Sequence, residues 1–79
     1  MRTFALIAAE IQTKWKNMSP YAKPYVDAMA TLFTSDKNAR YYFDTAEIIV
    51  LYFLSNANTW RGEDARRIKA ELKEMCGLK

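Results

Sequence analysis

Two carboxylates three residues apart, Asp44 and Glu47, are the nearest approach in this chain to an acid–base pair. Paired carboxylates can divide proton donation and acceptance when their surroundings separate their pKa values. Here they stand at the head of an apolar run, DTAEIIVLYFL. Asp44 can cap the first turn of a helix while Glu47 reaches back to it, so a capping box accounts for both. The single cysteine, Cys76, would need a base to act as a nucleophile, and the chain has no histidine. It reads as a small buried hydrophobe. One cysteine permits no internal disulfide, which fits a reducing cytoplasm, and no zinc cluster can be assembled. Gly62 and Gly77 are the only glycines, too few for a phosphate-cradling loop. The expectation is therefore no enzyme: no catalytic residue, no cofactor and no metal ligand.

Binding chemistry has more to work with. Arg61, Arg66, Arg67, Lys69 and Lys73 cluster in sequence beside Trp60, an arrangement that could meet nucleic acid through charge and stacking. Three features weigh against it. The preceding apolar helix is too apolar to lie across a DNA backbone. The link Ser55 to Gly62 is long for a helix-turn-helix. A recognition helix offers its first turn to DNA, and this one starts Glu63-Asp64. Pairing of Glu63 with Arg67, and of Arg67 with Glu71, along a solvated face accounts for the charges instead. Protein binding is the leading reading, with nucleic-acid binding as the alternative. Trp, Tyr and Arg dominate interface energetics, which makes Trp60, Arg61, Arg66, Tyr41 and Tyr42 the candidate contact residues.

The elements that must position these residues are helical. Phe4, Ile7, Ile11, Trp15 and Met18 recur at three- and four-residue steps, predicting helix one from Thr3 to about Asn17. Ser19-Pro20 stops and restarts the chain. Pro24 then implies either a loose first turn over Pro20 to Lys23 or a helix that starts at Pro24, running to about Phe33. Thr34 to Arg40 is polar and turn-prone. Tyr41-Tyr42-Phe43 follows as a short extended piece, a cover for the core or a loop that touches a partner. Helix three is read from Thr45 to about Asn56. Its seven consecutive apolar residues, Ile48 to Leu54, would leave no face for water. The same residues suit a strand, but no second alternating segment exists to pair with it. Helix four spans about Glu63 to Cys76, with Ala65, Ile68, Leu72 and Met75 as its stripe and Gly77 as its stop. Trp60 is expected to fold back over helices three and four.

Seventy-nine residues make one domain, 1–79. Half the residues are apolar and 27% are charged, a globular composition. Eleven aromatics are more than so small a core can enclose, which places some at the surface or in an interface. The net charge of +3 permits an acidic or nucleic-acid partner and demands neither. The balance of charge is positive over both ends of the chain and negative over the middle. With the apolar helix three, that layout also fits self-association as a homodimer. Arg2 and the apolar residues after it form a poor signal peptide, interrupted by Glu10 and lacking a good cleavage site. The run at Ile48 is far short of a membrane span.

The segments WKNMSPYAKPYVDAM and SNANTWRGEDARRIKAELKEM resemble stretches of short uncharacterised proteins of bacteriophages and prophage regions. The resemblance covers most of the chain and carries no catalytic motif. It implies a setting, since small phage-type proteins often bind and redirect a host protein, and some, such as anti-CRISPR proteins, block host defence. The combined expectation is an all-α fold of four helices with helix three at its centre. Phe4, Ile7, Ile11, Trp15, Val26, Met29, Phe33, Ile48, Ile49, Leu51, Tyr52, Ile68 and Leu72 form the expected core. The expected role is a cytoplasmic module that occupies a site on a larger host protein without chemistry and without a membrane.

Overall fold

The computed structural model describes residues 1–78. Thr3 opens helix α1 (Phe4–Lys14): its backbone is extended and its hydroxyl oxygen accepts the Leu6 amide at 3.1 Å, satisfying one of the donors a helix start leaves free. Phe4, Ile7, Ala8 and Ile11 form the buried stripe. The helix ends earlier than the periodicity implied, because Trp15 leaves helical geometry while its amide still donates to the Ile11 carbonyl. Two more first-turn amides, Phe4 and Ala5, donate to the carbonyls of Thr34 and Leu32, each at 2.9 Å. With both flanking carbonyls directed at α1, Leu32 is buried and the side chain of Phe33 faces solvent, 80% exposed. Phe33 is therefore not a core residue, contrary to expectation.

Helix α2 (Lys23–Met29) follows a loose turn over Pro20 to Ala22, the first of the two alternatives read from its prolines, and does not wait for Pro24 to start. The Ser19 carbonyl accepts the Ala22 and Lys23 amides, and the Ser19 hydroxyl accepts that of Tyr21. Pro24 then falls in the first helical turn, where its missing N–H has no helical acceptor to lose. The helix ends short of Phe33, in a turn closed by the Leu32 amide on the Met29 carbonyl.

The chain next departs from the all-α expectation. Strands β1 (Arg40–Tyr41) and β2 (Asp44–Thr45) pair antiparallel, Arg40 opposite Thr45 and Tyr41 opposite Asp44. Tyr42 and Phe43 form the two-residue tip. Helix α3 (Ala46–Ser55) follows directly. Its cap is Thr45, whose hydroxyl oxygen accepts the Ile48 amide at 3.3 Å. Asp44 is not the cap, because the hairpin holds it one residue too early, so the Asp44–Glu47 capping box does not form. The amides of Ala46 and Glu47 donate instead to the carbonyls of Ala39 and Lys37.

Helix α4 (Glu63–Met75) starts at Gly62, whose φ of +110° is a conformation open to glycine. It ends in a Schellman motif. The Leu78 amide donates to the Lys73 carbonyl and the Gly77 amide to that of Glu74, with Gly77 left-handed at φ +68°.

The four helices form a ring rather than a cluster around α3. Helix α2 packs on α1 and α3, and α4 also lies against α1 and α3. Helix α3 is one wall of this ring, which corrects its expected central place. Its buried residues, Ala46, Ile49, Val50 and Phe53, fall on a single 3-1-3 stripe. Ile48, Leu51 and Tyr52 lie on the opposite side and are exposed, not core. The remaining expected core residues are buried. At the core's aromatic end the indoles of Trp15 and Trp60 stack at 5.2 Å and 7°, and both meet the edge or face of Phe53 at about right angles.

Candidate functional site

The hairpin tip is where local structure is least comfortable. A two-residue antiparallel turn needs left-handed backbone at its first central position, a place that favours glycine or asparagine. This chain puts Tyr42 there, at φ +57°. Left-handed geometry costs a residue with a bulky side chain about 1–2 kcal/mol. The ring gains little burial in return, being 82% exposed, and its neighbour Phe43 is 93% exposed. Tyr41, half-buried, meets Tyr42 edge-on at 4.8 Å. The Arg40 guanidinium donates to the Phe43 carbonyl at 3.3 Å, which ties the tip back on its own strand. Residues held in such strained backbone cluster at functional sites.

The outer face of α3 also exposes apolar side chains. Ile48 and Tyr52 lie one turn apart, with Leu51 alongside. The Tyr52 ring packs on that of Tyr25 from α2 at 5.5 Å. Tyr21 and Phe33 bring the strongly exposed aromatics outside this helix and the tip to two more.

The five candidate contact residues do not form one site. Tyr41 and Tyr42 precede α3 and Trp60, Arg61 and Arg66 follow it. The ten residues of α3, about 15 Å of helix, lie between the two groups along the chain. Tyr41 and Tyr42 are brought together at the tip. Trp60 is only 5% exposed, so its ring serves the core and neither a partner nor a nucleic-acid base can stack on it. Arg61 and Arg66 are exposed.

The basic residues proposed for nucleic acid also divide. Arg67 donates to Glu10 across the helix interface at 2.7 Å and to Asp64 at 3.2 Å. Arg2 joins the same network, forked on Glu71 at 2.6 and 3.0 Å and bonded to Glu10 at 2.8 Å. These cross-chain bonds replace the expected pairs of Arg67 with Glu63 and Glu71. The Arg67 and Arg2 hydrogen bonds hold the Glu10 carboxyl down at about 2. Arg2, through its hydrogen bonds to Glu71 and then to Glu10, binds its proton more tightly than usual. The Lys69 ammonium donates to the carbonyls of Ala57 and Trp60 at 2.7 and 2.8 Å, and burial lowers its pKa. It secures the α3–α4 link that carries Trp60. Lys73 remains exposed.

Cys76 is buried, and burial followed by the Glu47 charge pushes its thiol up to about 11. A thiol so placed is a poor nucleophile at neutral pH. Among the described residues no three His, Cys, Asp or Glu side chains group as metal ligands would. No helix among them is long and apolar enough to cross a membrane.

Sequence reasoning placed Ile48, Leu51 and Tyr52 in the core and missed them as surface residues, while the exposure of Phe43 fits one of the alternatives read for Tyr41-Tyr42-Phe43, a loop that touches a partner. The position of Ala46 carried a signal, since a small residue four before Val50 and seven before Phe53 marks the close-packed side of α3. No family model, curated protein or solved structure matches the chain.

Proposed function

We propose that this chain is a small, non-enzymatic protein-binding module. The observation that carries the reading is the hairpin tip, where the backbone accepts strain at Tyr42 so that two aromatic rings stand in solvent. Large exposed apolar patches on small domains mark interaction sites, and aromatic side chains supply contact area at low entropic cost. The tip with the outer face of α3 forms the contact surface: Tyr41, Tyr42, Phe43, Ile48, Leu51 and Tyr52. The mechanism is steric, with the surface covering a site on a larger protein. In the phage-type setting that the sequence resembles, that protein belongs to the host and its activity, in a defence system or elsewhere, is inhibited or redirected in the cytoplasm.

The test is tagged capture from bacterial lysate, with and without nuclease, using the wild type and a Tyr42→Asn/Phe43→Ser variant. Asparagine tolerates left-handed backbone, so the variant keeps the hairpin. One protein retained in near-equal amount by the wild type after nuclease, and lost with the variant, is the expected result. Equal capture by both chains would place the contact elsewhere. Capture that vanishes with nuclease would favour nucleic acid over protein.

A further inference from the structure

We propose that the cleft between Lys14–Asn17 and Thr59–Arg61 is a docking site for the phosphate backbone of a nucleic-acid duplex. This surface is separate from the aromatic tip. It arises from the stack of Trp15 on Trp60. Joining two indoles from distant parts of the chain also joins their neighbours, so Lys14 and Lys16 form one wall, Thr59 and Arg61 the other, around a cleft of about 500 Å³. A second groove beside it carries Arg66 next to Arg61.

The charges here are available. Arg2, Lys23 and Arg67 are held in ion pairs and Lys69 by carbonyls. Among the described residues Lys14, Lys16, Arg61 and Arg66 form no ion pair. Among the described residues no carboxylate lines the cleft or the adjoining groove. Of the two acidic residues that open α4, Asp64 is engaged by Arg67, and Glu63 lies beyond the lining.

The closed floor selects the ligand. Trp15 and Trp60 are 6% and 5% exposed, so no base can stack on them, as single-strand binding requires. The cleft equally lacks the apolar anchor at the centre of a protein interface. What remains is four cations with the polar side chains of Asn17 and Thr59, the groups that contact phosphate and sugar irrespective of sequence.

The experiment is fluorescence anisotropy of the full chain with a labelled mixed-sequence DNA duplex of about 20 base pairs, from 50 to 200 mM salt. Four phosphate contacts give a log–log salt slope near −3.6, an affinity loss of roughly 150-fold over that range. Lys14→Gln/Lys16→Gln and Arg61→Gln/Arg66→Gln should each weaken binding at least tenfold at 50 mM and flatten the slope by about two. Lys23→Gln/Lys37→Gln removes the same net charge away from the cleft and should change affinity less than threefold. All these side chains reach solvent, and circular dichroism checks that each variant folds. The proposal is overturned if no duplex binds at 50 mM, or if the control pair loses as much as the cleft pairs. It is also overturned if a single strand of equal length binds more tightly, or if poly-glutamate of matched charge displaces the duplex, which would make the site one for an acidic protein.

Discussion

Replacing Glu10 by Gln tests the ionic link between α1 and α4. Glu10 stands between two guanidinium groups, accepting from Arg2 at 2.8 Å and from Arg67 at 2.7 Å. Its carboxyl is lowered from the ordinary 4.5 to about 2, a displacement worth roughly 3 kcal/mol at full strength. Arg2 and Arg67 are a third to a half exposed, so solvent screening reduces the contribution to about 1–2 kcal/mol. That is a substantial part of the ~4–12 kcal/mol a domain of this size holds, and should lower Tm by about 5–15 °C. A carboxylate with a depressed folded pKa contributes stability above its unfolded value, and the contribution is lost as pH falls through the folded value. The difference between wild type and Glu10→Gln should therefore be complete at pH 7 and shrink to roughly two fifths by pH 3. Urea unfolding monitored by tryptophan fluorescence at both pH values measures it. A difference below about 0.3 kcal/mol at pH 7, or one that does not change with pH, would refute the electrostatic reasoning.

The remaining predictions concern the aromatic end of the core and the buried thiol. Trp60→Ala removes a ring stacked on Trp15 and packed on Phe53, and should destabilise by about 3–5 kcal/mol, read as a lower urea midpoint with loss of the near-ultraviolet dichroism of the indole pair. Lys69→Met leaves the Ala57 and Trp60 carbonyls without their donor, for a loss of about 1–3 kcal/mol in thermal unfolding at pH 7. Cys76, buried and with its thiol pushed up to about 11, should resist a thiol-reactive reagent at pH 8 and react at once in denaturant; rapid reaction of the folded chain would contradict its burial.

Much of the architecture was legible where apolar and polar residues alternate. The α4 stripe of Ala65, Ile68, Leu72 and Met75, with Gly77 closing it, is as read from the residues, because one helix face differs visibly from the others. The same method failed on α3. A run in which nearly every residue is apolar contains little contrast, and apart from the small Ala46 before it nothing told Ile49 and Val50, which are buried, from Ile48 and Leu51, which are exposed. The hairpin was hidden for two reasons. Strands of two residues carry no period, and the tip has Tyr-Phe where a favoured turn would have Asn-Gly. Phe33 was misplaced because the bonds that orient it run to the start of α1, nearly thirty residues away. The pairing of Arg67 with Glu10 and of Arg2 with Glu71 spans 57 and 69 positions. Helical-neighbour rules do not reach that far. The Lys14–Arg61 cleft escaped notice for the same reason, since it depends on two tryptophans meeting.

The central claim is that the strained aromatic tip binds a protein. Isothermal titration of the captured protein with the wild type and with Tyr42→Asn/Phe43→Ser measures it most directly. Loss of two exposed aromatic anchors should weaken affinity at least 30-fold, as hot-spot removal of about 2 kcal/mol or more implies, while the unfolding midpoint stays within a few degrees of wild type. An affinity within twofold of wild type, from a variant that folds, would contradict the account.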